Sequence, residues 1–174
     1  MEISSLRKIN SILERDAKSA SYKFALLRGT ISVCQKYSHR KVEADGRVRY
    51  PLGPLVESWV RYYYPIIDSP EFIPQGSGES DGNSGGRQIA FRPAFKNVTD
   101  YYRDHKGFNG FWEDYQNGEI PEDISPAVMA LFIKIRETII INPMKFIGRS
   151  KSDEYHSIYR SEKAGIKISD DAYP

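Results

Sequence analysis

Apolar residues recur at helical spacing along most of this chain. Ile3, Leu6, Ile9, Ile12 and Leu13 predict a first helix, and Tyr22, Ala25, Leu26, Leu27, Ile31, Val33 and Cys34 predict a second, buried one over 21–36. The period then changes. Val42, Ala44, Val48 and Tyr50 alternate with polar residues around Asp45-Gly46, a pair suited to the positive-φ positions of a type I′ turn, which predicts a short β-hairpin over 41–50. Leu52, Leu55, Val56, Trp59, Val60 and Tyr63 form the clearest amphipathic stripe, with Pro51 and Pro54 at its start and Pro65 closing it.

From Asp68 to Gly86 the chain turns to Gly, Ser, Pro and acid, with no apolar period after Ile73. This predicts a mobile loop inside one domain, because each flank alone is too small to hold a good core. Beyond it, Pro93 opens a helix through Arg103, with Phe95, Val98 and Tyr102 inward. Phe108, Phe111, Trp112 and Tyr115 predict a compact aromatic turn ended by Asn117-Gly118. Ser125-Pro126 reads as an N-cap with proline at the first helical position, ahead of Val128, Leu131, Phe132, Ile135 and Ile139. Asn142-Pro143 stops that helix, and Met144 to Ile147 suggest a short strand before a basic C-terminal arm over 148–174. The expected fold is mainly α (α+β): one domain over 1–174, a bundle of five or six helices with one small β-hairpin, its core built by 21–36, 54–64 and 126–141.

The chain has 174 residues, 40% hydrophobic and 28% charged, which suffices for one core. No run approaches the roughly 18 to 20 apolar residues of a membrane span, and the polar start lacks an apolar signal core, so the expectation is a cytoplasmic protein with no membrane partner. One cysteine and three histidines supply neither a disulfide nor the ligand spacing of a structural zinc. Net charge is only +2, but it is unevenly spread. Residues 1–67 carry twelve Lys and Arg against six Asp and Glu, residues 68–126 five against eleven, and residues 127–174 eight against six. Folding such a chain can produce one positive and one negative face, as in polyanion-binding domains, although patchy solvated charge gives the same totals.

No catalytic or cofactor motif is present: no Gly-x-Ser-x-Gly elbow, phosphate-binding Gly-x-x-x-x-Gly-Lys-Ser/Thr, His-Glu-x-x-His or Cys-x-x-Cys. The acidic cluster Glu113, Asp114, Glu119, Glu122 and Asp123 matches no calcium loop. The reading therefore assigns no catalytic residue, no metal and no cofactor. Two basic, aromatic strips remain. One runs through Lys36, Tyr37, His39, Arg40, Lys41, Arg47, Arg49 and Tyr50, where a ribbon bearing arginines could enter a groove or grip phosphates, or serve only as a charged, aggregation-resistant edge. The other includes Lys145, Arg149, Ser150, Lys151, Tyr155 and Arg160, where backbone freedom, cations and hydroxyls suit a phosphate chain. Packing on the core is the alternative for its tyrosines.

Three strings carry a family resemblance: Ser21-Tyr22-Lys23-Phe24-Ala25-Leu26-Leu27-Arg28, the run from Tyr50-Pro51-Leu52-Gly53-Pro54 to Tyr62-Tyr63-Tyr64-Pro65-Ile66, and Ile141-Asn142-Pro143-Met144-Lys145-Phe146-Ile147-Gly148. They resemble the N-terminal region of bacterial HNH restriction endonucleases. That resemblance implies a DNA-recognition region working with a separate HNH nuclease domain in phage defence. It also implies duplex DNA, plain or modified, as partner. No HNH motif lies in this sequence, so cleavage would need a domain or subunit outside it. The candidate DNA-binding residues are Lys23, Arg40, Lys41, Arg47, Arg49, Lys145, Arg149, Ser150, Lys151, Tyr155 and Arg160. The alternative is a protein-interaction module, a homodimer or a subunit of a defence complex that does not touch DNA.

Overall fold

In a computed structural model that describes residues 21–40, 42–44, 47–82 and 85–146, the apolar spacing of 21–36, 54–64 and 126–141 falls on helices. α1 spans Tyr22–Lys36, α2 Gly53–Ile67, α3 Arg92–Arg103, α4 Gly107–Asn117, α5 Ser125–Ile141, and α6 is a single turn over Pro143–Phe146. Between α1 and α2, a 3-10 turn at Ser38–Arg40 leads to strands β1 (Val42–Ala44) and β2 (Arg47–Arg49). The strands pair antiparallel with Val42 opposite Arg49 and Ala44 opposite Arg47. The predicted first helix at 3–13, the Asp45-Gly46 turn and the arm beyond 148 lie outside the described residues.

α2 is the hub: it packs against α1, α3 and α5, while α3 also packs against α4 and α5. Its inward stripe, Leu55, Val56, Trp59, Val60, Tyr63 and Tyr64, is buried and meets Leu26 and Val33 of α1, Phe95, Val98 and Tyr102 of α3, Phe111 of α4, and Val128, Leu131, Ile135 and Ile139 of α5 in one core. Aromatic rings dominate that core. Trp59, Tyr63 and Phe91 stand 4.7–6.1 Å apart, and Tyr22 closes the group from α1. Truncating a ring of this kind to alanine costs about 3–5 kcal/mol. The close approach of α1 to α2 needs Gly29, where a Cβ would lie 2.6 Å from Leu55 Cδ1.

Several local expectations change. Pro65 does not close α2, which continues to Ile67. Only the Arg61 carbonyl loses its helical amide, and Pro65 is exposed, so the ring meets solvent. Residues 108–115 are not a turn but most of α4, an eleven-residue helix that Gly118 ends in the left-handed region at φ 72°. Met144 to Phe146 are helical, not a strand. Ser125 lies inside α5, and Ile124 takes the capping position, its carbonyl accepting from the Ala127 and Val128 amides. Ile31, expected inward, is 52% exposed.

Within the Gly- and Ser-rich stretch, Ile73 and Glu79 make specific contacts with the start of α3, and Gln75 with Glu79. Glu79 accepts hydrogen bonds from the Gln75 and Ile89 amides and from Arg92 Nε, and Arg92 Nη2 donates to the Ile73 carbonyl at 2.8 Å. The Arg92 guanidinium also covers the Phe72 ring at 4.7 Å. A carboxylate and a guanidinium thus satisfy backbone groups that a stretch without regular structure leaves open. The Ser21 amide donates to the Gln75 carbonyl, which fastens the start of α1 to the same knot.

Candidate nucleic-acid interface

The described parts of the two basic strips meet at α1. Lys23 is half-buried in its first turn and engaged by other groups, and Lys36 lies in its last turn with Nζ 5.4 Å from the Tyr37 ring centroid. The chain leaves α1 through Arg40, which ends the 3-10 turn, and enters the strand pair, where Arg47 and Arg49 stand two positions apart in β2. α6 packs against α1 and α5, which brings the turn carrying the exposed, engaged Lys145 to the same helix. Lys41, Arg149, Ser150, Lys151, Tyr155 and Arg160 lie outside the described residues.

Two further cations were not legible in the sequence. The Arg28 guanidinium of α1 lies over the Tyr62 ring of α2 at 4.3 Å, and Arg61, the neighbouring residue, lies over Trp112 of α4 at 4.1 Å. Trp112 is backed by Phe108, stacked at 5.8 Å, and by Tyr115 at 5.2 Å. Both arginines are exposed, and among the described residues neither is paired with a carboxylate. Glu57, one turn before Arg61, instead accepts from the Tyr115 hydroxyl. A guanidinium laid on an aromatic face loses little rotamer freedom when it binds, and its N–H groups remain available for phosphate oxygens. Their partners come from other helices, so no local spacing announces them.

The acidic middle segment is used differently. Asp114 accepts from the Tyr102 hydroxyl at 2.9 Å, Asp123 accepts from Tyr101, Asp68 and Asp100 pair with Arg103, and Glu113 pairs with Lys106. These carboxylates are thus bound to the phenols and cations of α3 and its connection to α4. Burial, reinforced by Asp114, holds the Tyr102 phenol far above its ordinary range. Among the described residues no group of three or more His, Cys, Asp or Glu could hold a metal ion, and no helix is long and apolar enough to cross a membrane.

No curated protein and no solved structure matches the chain. A family model described as a domain of unknown function, DUF8808, matches residues 2–173, almost the full length, and the chain belongs to that family.

Proposed function

We propose that the chain is a duplex-DNA recognition domain of the restriction type, engaging plain or modified DNA beside an HNH nuclease domain or subunit. The observation that carries this reading is the convergence on α1: Lys23, Arg28 and Lys36 on the helix itself, the Arg47 and Arg49 strand after it, and the Lys145 turn packed against it. Arg61 on α2 adds an exposed guanidinium with no carboxylate partner among the described residues. Such a surface binds by counterion release, so log affinity falls linearly with log salt concentration.

Mobility shifts at two salt concentrations, with plain, methylated, glucosylated and phosphorothioate duplexes, test the proposal. Arg28→Ala and Arg61→Ala are expected to weaken all duplexes alike and to lower the salt slope by about one each. Arg47→Ala or Arg49→Ala should cost roughly 1–3 kcal/mol and relax preference among duplexes if the ribbon reads base edges, whereas Arg149→Ala and Lys151→Ala should act as phosphate contacts. Absence of binding to every duplex at low salt overturns the reading.

A second reading, a subunit that binds another protein without touching DNA, is favoured by the outward apolar residues of α5, Met129, Ile133 and Ile141. It predicts that Arg28→Ala and Arg61→Ala leave partner binding unchanged.

A further inference from the structure

α5 is apolar on both sides. Its inward side, Val128, Leu131, Ile135, Thr138 and Ile139, is buried in the core. At about 100° per residue, Pro126, Met129, Ala130, Ile133, Lys134, Glu137, Ile140 and Ile141 share the opposite arc. All but the half-buried Ile140 are exposed, with Met129 at 38%, Ile133 at 39% and Ile141 at 59%. Only two of these eight positions are charged. A helix that is apolar all round is ordinarily buried all round, and among the described residues nothing covers this arc.

The two charges indicate what covers it. Lys134 and Glu137 are opposite in sign, each about half exposed, and lie one turn apart on the helix with Nζ and Oε2 3.6 Å apart. Two copies of α5 packed antiparallel about a two-fold axis would set Lys134 against the partner's Glu137, and Glu137 against the partner's Lys134. The same register sets the small Ala130 against the large Ile141 of the partner subunit, at both ends of the contact. The face is therefore complementary to itself in charge and in size, as an isologous interface requires. A parallel pairing in register would set like charges together.

We propose that the outward face of α5 is the interface of a two-fold homodimer of this chain, formed by antiparallel α5 helices. This does not depend on the DNA reading, since none of the residues involved belongs to the cationic side at α1. One 17-residue helix per subunit is about 25 Å of contact, the small end of specific interfaces, so the dimer dissociates on dilution.

Sedimentation of the 174-residue chain over a wide concentration range tests it, with circular dichroism to verify the fold of each variant. The wild-type mass is expected to rise with concentration to twice that of the monomer. Ile133→Glu should raise the dissociation constant by at least about tenfold. Lys134→Glu and Glu137→Lys should each raise it by about tenfold, and the double exchange should restore it. The exchange keeps every apolar residue, so it remains decisive if Ile133→Glu fails to fold. A monomer at every concentration overturns the proposal and leaves the face to a different protein. A dimer indifferent to Ile133→Glu, or a double exchange that does not recover, overturns it as well.

Discussion

Arg92 Nε donates to Glu79 Oε1 at 2.6 Å, and the two side chains are only 8% and 2% exposed. The pair is buried, hydrogen-bonded on both sides, and made between the loop and the first turn of α3. Breaking it from one side leaves a buried charge without a counter-charge. Glu79→Ala is therefore expected to destabilise the fold by about 3–5 kcal/mol, and the double change Glu79→Leu with Arg92→Met by much less. Urea denaturation of the two variants checks this. A single-variant loss below about 1 kcal/mol would show that the pair does not anchor the loop.

Acid should release the same knot. Burial alone pushes the Glu79 carboxyl up, but the Arg92 guanidinium and the Gln75 and Ile89 amides outweigh it and hold the group below the usual carboxylate range. A carboxyl that is more acidic in the folded chain contributes stability above its unfolded pKa, and the contribution disappears as pH falls through the folded value. Stability measured from neutral pH into the acid range should fall more steeply for the wild type than for Glu79→Gln. Parallel curves for the two proteins would remove Glu79 from the acid transition.

At the alkaline end the tyrosines should separate into two groups. Burial pushes the Tyr22 phenol up to about 12, with a smaller opposing effect from the Ala90 amide. Burial raises Tyr63 and Tyr64 further, against partial relief from Ser21 and Arg103 respectively. A phenol whose pKa is higher in the folded state contributes stability in full below its unfolded value, and that contribution is lost as pH rises through the folded value. Absorbance titration near 295 nm should show a set of phenols that ionises only as the chain unfolds. A single transition for all 12 tyrosines in a chain that remains helical would contradict it.

Gly110 sits where the start of α4 folds back on the preceding turn, and an added Cβ there would meet the His105 carbonyl. Backbone cannot move aside as a flexible side chain can. Gly110→Ala should cost about 1–3 kcal/mol despite the better helix propensity of alanine. Thermal unfolding checks it, and an unchanged midpoint would mean that the turn yields.

The helices were legible because their apolar spacing is local. Leu55, Val56, Trp59, Val60 and Tyr63 are buried as their stripe predicts, and so are Val128, Leu131, Ile135 and Ile139. Pro65 misleads because proline near a helix end removes one hydrogen bond without halting the chain. The Glu79 and Arg92 knot was hidden inside a composition that signals mobility, since its cohesion comes from one long-range pair rather than from any period. Arg28 over Tyr62 and Arg61 over Trp112 were invisible for a similar reason: each ring belongs to another helix. The outward face of α5 was, by contrast, written in the sequence, where Met129, Ile133, Ile140 and Ile141 follow one another beside the inward stripe.

The way Ser21 is held has a kinetic meaning. Glu79 and Arg92 are 13 residues apart, so their meeting closes a short segment, whereas the Ser21 hydroxyl meets Tyr63 across 42 residues. Closing the longer segment removes more chain entropy, and contacts of that range form late in folding. The loop knot then closes before the Ser21 end of α1 is fastened to Tyr63. Amide exchange should be fastest in α1 among the five longer helices, so that the end of α1 fastened last is also the first to open.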